Sequence, residues 1–198
     1  LATIVYTSGT TGQAKGVMPS FDSLTSGWLT VRRQLDFSPA DRALSYLPLA
    51  HIMARSGLEL GSLDGGCHLY FAESLDSFVK DLQRARPTVF ISVPRLLLKF
   101  QQGVLAKMPA PKLDRLLAVP VLGHFVRRTI QKGLGLDAVR VCGCGSAPLS
   151  EELLRWYDRL GIKLVEGYGM TELASASHMT EVGADWWGTV GRPGDGVD

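Results

Sequence analysis

The stretch Tyr6-Thr7-Ser8-Gly9-Thr10-Thr11-Gly12-Gln13-Ala14-Lys15-Gly16 decides how the chain is read. Thr3 to Tyr6 has the β-branched and aromatic content of a short buried strand, and the loop after it is dense in glycine and hydroxyl side chains. Gly9, Gly12 and Gly16 permit positive φ and a close backbone approach to a ligand. Ser8, Thr10 and Thr11 add hydroxyls, successive backbone N–H groups can form an anion nest, and Lys15 adds one mobile positive charge. Such a set suits a polyphosphate. The ordinary Walker pattern does not fit: Ala14 stands five places after Gly9, and Gly16 follows Lys15 where Ser or Thr is required. On composition alone, a generic Gly/Ser/Thr-rich surface loop remains an alternative.

Outward from this loop, strand-like runs alternate with helix-like ones, which predicts an α/β protein with a mainly parallel sheet and flanking helices. Phe21 to Leu35 reads as a helix with Trp28, Leu29 and Val31 or Arg32 spaced to give one apolar side. Arg42 to Leu47 reads as a strand, Ile52 to Leu63 as a helix, and Cys67 to Phe71 as a strand. A helix beginning near Ser74 carries Phe78, Val79 and Leu82 at helical intervals. Thr88 to Val93 is a continuous buried-type strand, and Pro94 suits the first turn of the helix Arg95 to Leu105. Residues 107–135 hold three prolines and three glycines among basic residues, and are expected to form short helices and loops. Val139 to Cys142 reads as a strand. Ser150-Glu151-Glu152 starts a helix, with a hydroxyl cap and two carboxylates at the positive end of its dipole. That helix should stop at Gly161, and Lys163 to Glu166 should be a strand running into a glycine-flanked turn.

The composition narrows the function classes. The chain has 198 residues, 45% hydrophobic and 20% charged, which suits a globular domain and excludes disorder and collagen. Lys plus Arg is 21 against 19 Asp plus Glu, so the net charge offers no case for nucleic acid as a partner or for a polybasic membrane anchor. No run approaches the roughly 20 apolar residues that span a bilayer, and the first residues lack the basic start of a signal peptide. Cys67, Cys142 and Cys144 have no zinc spacing and read as reduced, mostly buried thiols of a cytoplasmic protein.

Two further segments carry chemistry. In Glu166-Gly167-Tyr168-Gly169-Met170-Thr171-Glu172 a strand meets glycines where open α/β sheets bind ligands. Tyr168 offers a ring face to a purine, Thr171 can donate to a phosphate oxygen, and Glu172 is a hard oxygen ligand suited to Mg²⁺. In Gly143-Cys144-Gly145-Ser146-Ala147-Pro148-Leu149-Ser150, small residues let a flat base lie against the backbone.

Together with the loop at 6–16, these strings resemble the core motifs of the AMP-forming acyl and aryl-CoA synthetases, in the order of that superfamily. The resemblance implies an adenylate-forming fold, of which residues 1–198 would be a central piece of the large N-terminal domain, without the C-terminal lid domain. It implies that Thr7, Ser8, Gly9, Thr10, Thr11, Gly12 and Lys15 hold the β- and γ-phosphates of ATP. Gly145, Ser146, Ala147, Pro148, Gly167, Tyr168, Gly169 and Met170 would line the nucleotide pocket, with Thr171 on the α-phosphate and Glu172 on Mg²⁺. Leu44-Ser45-Tyr46-Leu47-Pro48-Leu49-Ala50-His51-Ile52 resembles the family's carboxylate-side segment and puts His51 beside the acid being activated. His68, His124 and His178 have no such context. Asp195 and Asp198 do not match the family's ribose-binding aspartate.

From Phe71 through Arg86-Pro87-Thr88-Val89-Phe90 to Val93-Pro94-Arg95 the chain looks like long-chain fatty acyl-CoA ligases. Ala54 and Leu98 depart from that pattern and leave the acyl class open; Phe78, Val79, Phe90 and Leu96 to Leu98 read as ordinary core. The implied activity is ATP-dependent conversion of a fatty acid to an acyl-adenylate and then, with CoA as co-substrate, to a thioester. The piece itself would be incomplete for turnover, soluble or in peripheral contact with a membrane, and prone to self-association. The alternatives are a non-catalytic nucleotide-binding module and an adenylating ligase for a non-fatty carboxylate.

Overall fold

The computed structural model describes residues 1–8, 12–183, 187–194 and 197. Gly9, Thr10, Thr11, Asp195 and Asp198 lie outside the described residues.

The glycine- and hydroxyl-rich loop connects a two-stranded antiparallel ribbon. Strand β1 (Val5–Thr7) pairs with β2 (Lys15–Val17), with Val5 opposite Val17 and Thr7 opposite Lys15. Only Val5 of β1 is buried and Tyr6 is largely exposed, so the expectation of a buried first strand is corrected. The ribbon bonds to neither of the other sheets.

Helix α1 (Phe21–Leu35) begins where Ser20 accepts the Ser23 N–H at 3.1 Å and ends at Asp36 in the left-handed region. Trp28 and Val31 face inward, whereas Leu29 is exposed. Then come β3 (Arg42–Ser45), a π-helical turn (Ala54–Glu59) continuous with α2 (Leu60–Gly65), and β4 (His68–Phe71). They are followed by α3 (Phe78–Ala85), β5 (Val89–Ser92) and α4 (Pro94–Lys107), the last with proline in its first turn. Residues 107–135 form two well-developed helices, α5 (Ala110–Ala118) and α6 (Pro120–Leu134). The prolines there do not break the helices. Pro109 caps α5 and Pro120 opens α6, positions where no N–H is needed. Strand β6 (Val141–Cys144), α7 (Glu151–Arg159), β7 (Leu164–Met170), a 3₁₀ turn (Thr171–Leu173), β8 (Ser175–Met179) and β9 (Arg192–Pro193) complete the order.

Strands β5, β6 and β7 are parallel, and so are β3 and β4. β3 adjoins β5 through Thr88 N–H donating to the Arg42 carbonyl at 2.9 Å. The central sheet is therefore mostly parallel, as expected, and β8 and β9 extend it antiparallel beyond β7. Strand alternation fills two cores. Leu44, Phe90 and Cys142 pack among α3, α4 and α7 on one face; Ala43, Val89, Ile91, Val141 and Val165 pack against α1 on the other. Phe78 and Leu97 are core residues as expected, but Val79 and Leu98 are exposed.

One local reading changes the site. Residues 167–170 are a continuation of β7, paired with β8, and the turn falls at 171–174. Gly169 makes this possible: a Cβ there would run into the Ser175 carbonyl oxygen, and the register shifts between Tyr168 and Gly169. The bulge re-aims the strand next to the candidate site.

Candidate functional site

Parallel β6 ends with Cys144 opposite Glu166 of β7, and the two sequence segments meet just beyond that pair. Ser146, Ala147 and Pro148 from the loop after β6 line one cleft of about 210 Å³ with Glu166, Gly167, Tyr168 and Gly169 of β7. This is where an open α/β sheet offers a ligand site. Gly145 lies just behind. A Cβ on it would come 3.0 Å from the Gly167 carbonyl oxygen, so glycine allows loop and strand to touch. Ser146 has φ +74, a left-handed conformation uncommon outside glycine and associated with functional sites. The Tyr168 ring is 47% exposed and packs edge-on to His178 at 6.0 Å, which leaves a face open for stacking.

Two cleft residues had no role in the sequence reading. Buried Glu166 accepts the Leu149 N–H on its Oε1 at 3.0 Å, and its own N–H donates to Thr180 Oγ1 at 2.9 Å. Burial pushes its carboxyl above the usual carboxylate range, against the opposing effect of the Leu149 N–H. Val190 closes the rim from a distant loop. Glu166 stands inside the quoted motif, but only tertiary structure reveals its bond to Leu149.

Thr171 and Glu172 sit on the 3₁₀ turn beyond β7. Glu172 lines a separate groove of about 280 Å³ with Ser23, Ser26, Gly27 and Thr30 of α1 and with Ser177 of β8. Gly27 brings helix and turn together, since a Cβ would meet the Ala174 carbonyl oxygen at 3.0 Å. In sequence only the apolar side of α1 stands out, and its Ser23, Ser26, Gly27 and Thr30 have no assigned role. Glu172 is exposed. An exposed carboxylate in a groove lined by hydroxyl residues could hold Mg²⁺, which commonly takes one or two carboxylates and completes its shell with water and phosphate oxygens. Among the described residues there is no cluster of three or more metal-ligating side chains.

Other sequence-predicted residues lie apart from these cavities. Lys15, Ser8 and Gly12 are exposed on the ribbon, with Gly12 at φ +81, and Thr7 Oγ1 reaches the Lys15 carbonyl at 3.5 Å. Met170 is exposed at the end of β7. His51 is exposed at the start of the π-helical segment. Its Nδ1 accepts the Met53 N–H at 3.3 Å, which leaves Nε2 to face a ligand. Near it, Met53, Ile91, Gly143, Gly145, Gly167 and Ala176 line a small apolar cavity of about 20 Å³ against the sheet. Cys142 and Cys144 are buried beneath the site, and burial pushes the Cys144 thiol up to about 12, so neither suits a nucleophile. No described helix is long and apolar enough to cross a membrane.

A family model described as AMP-binding enzyme matches residues 1–198. Long chain acyl-CoA synthetase 7, peroxisomal, of Arabidopsis thaliana is 29% identical over 98% of this chain and 30% of its own length. Long-chain-fatty-acid–CoA ligase 5 of Rattus norvegicus is 32% identical over 98% of this chain and 31% of its own. The chain thus spans less than a third of the length of these relatives. Among solved structures, the Bacillus subtilis O-succinylbenzoate coenzyme A synthetase in complex with ATP and magnesium ion aligns with a TM-score of 0.70 and 24% identity. That match covers 98% of this chain and 36% of the other. Escherichia coli MenE with bound OSB-AMS gives 0.70 and 21% over 98% and 35%. At these identities the likeness concerns the fold alone.

Proposed function

The chain belongs to the AMP-binding enzyme family, and from that membership we propose that its 198 residues form part of the large N-terminal domain of an ATP-dependent long-chain fatty acid–CoA ligase. The observation that carries the reading is the single cleft built by Ser146 to Pro148 and Glu166 to Gly169, with Glu172 on the next turn. The long-chain assignment is supported by the names of relatives about 30% identical. The remaining, larger part of the protein would supply the lid domain, its adenylation lysine and the ribose-binding aspartate.

In this reading the fatty carboxylate attacks the α-phosphorus of ATP and pyrophosphate leaves; CoA thiolate then attacks the acyl carbonyl and AMP leaves. No enzyme nucleophile is needed, so the protein's work is positioning and charge neutralisation. Tyr168 stacks on adenine against the Gly145 to Pro148 backbone. Thr171 donates to the α-phosphate, and Lys15 with Thr7, Ser8, Gly9, Thr10, Thr11 and Gly12 embraces the outgoing phosphates. Glu172 would hold Mg²⁺, whose charge offsets that of the phosphate oxygens. His51 directs Nε2 toward the carboxylate, because Nδ1 is engaged by Met53. The apolar cavity lined by Met53, at about 20 Å³, is too small to hold an acyl chain. The free cysteines suit a reducing compartment such as the cytosol.

The test is fatty-acid-dependent ATP–pyrophosphate exchange by the complete protein, across carboxylates from aromatic acids to long alkyl chains. Exchange driven best by long chains supports the ligase. Exchange only with aromatic or short acids moves the assignment to another carboxylate, and nucleotide binding without exchange favours a non-catalytic module.

A further inference from the structure

The corner between α5 and α6 is exposed, apolar at its tip and basic on its flanks. Val119 is 49% exposed, Val121 71%, Leu122 43% and Phe125 63%. On α6, Val121, Phe125, Arg128 and Lys132 follow spacings of four, three and four, so they share one stripe with Leu122 and Thr129 at its edge. The stripe is apolar at the tip and cationic about 10 Å further along the axis. Lys112 and Arg115 are exposed on α5. From Lys107 to Lys132 there are six basic residues and one acid, Asp114, which is engaged by Arg159. The chain as a whole is only +2, so this segment concentrates the positive charge.

We propose that this helical corner docks on an anionic lipid surface, with Val119, Val121, Leu122 and Phe125 entering the acyl boundary and Arg128, Lys132, Lys112 and Arg115 at the headgroups. An apolar tip with cationic shoulders is the pattern of an interfacial helix. Charge decides the occupant. Two copies meeting through this face would bring like charges together, whereas an anionic surface neutralises them. The proposal does not rest on the adenylation reading, because lipid binding needs no nucleotide.

The experiment is co-sedimentation of the 198-residue chain with phosphatidylcholine vesicles, alone or with about one third phosphatidylglycerol. The chain is expected to sediment with the anionic vesicles, to stay in solution with the neutral ones, and to be released by salt. Arg128→Gln with Lys132→Gln should weaken binding roughly twenty-five-fold, about five-fold per charge. Val121→Asp with Phe125→Asp should weaken it about ten-fold or more while leaving the melt unchanged, since both side chains are exposed. Failure to bind anionic vesicles overturns the proposal, and so does equal binding by the variants. A concentration-dependent dimer abolished by the Asp pair would overturn it in favour of a second copy as the occupant.

Discussion

The Glu166 carboxylate accepts the backbone N–H of Leu149 at 3.0 Å, tying β7 to the loop that follows β6. Those two segments are the walls of the cleft, so this bond sets their separation. A neutral amide oxygen could accept the same N–H without burying charge, and an alanine could not.

Glu166→Ala is therefore expected to cost about 1–3 kcal/mol of stability and to weaken nucleotide binding. Glu166→Gln should be at least as stable as the native chain at neutral pH. Burial raises the folded-state pKa, so this carboxyl favours folding below its unfolded value near 4.3 and loses that contribution as pH rises through the folded value. Urea melts at several pH values check this: the advantage of Gln should shrink toward acid.

At the amino ends of β3, β5 and β6, Asp41 gathers Arg140, Thr88 and Ser38. Burial opposes ionisation there, but the hydrogen bonds from these three residues and the Arg140 charge outweigh it and hold the carboxyl well below the usual range. The sign is opposite to that of Glu166: stability is present above the unfolded value near 3.9 and is lost as pH falls below it. Asp41→Asn should cost about 1–3 kcal/mol at pH 7 and flatten the acid limb of the stability profile.

Gly169→Ala should lower stability by about 1–3 kcal/mol or more, because its Cβ collides with the Ser175 carbonyl. That corresponds to a drop in Tm of roughly 2–12 °C. Calorimetry of the variant measures it directly, and a native Tm would show that the bulge relaxes.

In the complete protein, Lys15→Ala should raise the KM for ATP, and Glu172→Gln should raise the Mg²⁺ concentration needed for half-maximal rate. His51→Ala should reduce the adenylation rate more than it weakens ATP binding. Steady-state titrations of ATP, Mg²⁺ and fatty acid separate the three effects.

Local signals in the sequence were enough for much of this. Phe21–Leu35, the Pro94 helix start and the Ser150 cap follow from side-chain spacing and backbone chemistry within a few residues. The strand-like extension of β7 was not legible, because its hydrogen-bond partners Ser175 to Met179 are selected by packing rather than by local preference. The same holds for the β1–β2 ribbon, whose loop reads as ligand chemistry before it reads as a hairpin connection. At the site, the glycines and Tyr168 read in sequence as a place for a flat ligand, but neither the Glu166–Leu149 tie nor the α1 wall opposite Glu172 leaves a local mark.

The most direct measurement is a thermal melt of these 198 residues with and without a non-hydrolysable acyl-adenylate analogue and Mg²⁺. At roughly 100 times its Kd the analogue should add about 2.7 kcal/mol, a rise in Tm of roughly 5–11 °C. The shift should be smaller in Glu166→Ala. A cooperative melt that the analogue leaves unmoved would contradict a nucleotide cleft built by Ser146 to Pro148 and Glu166 to Gly169.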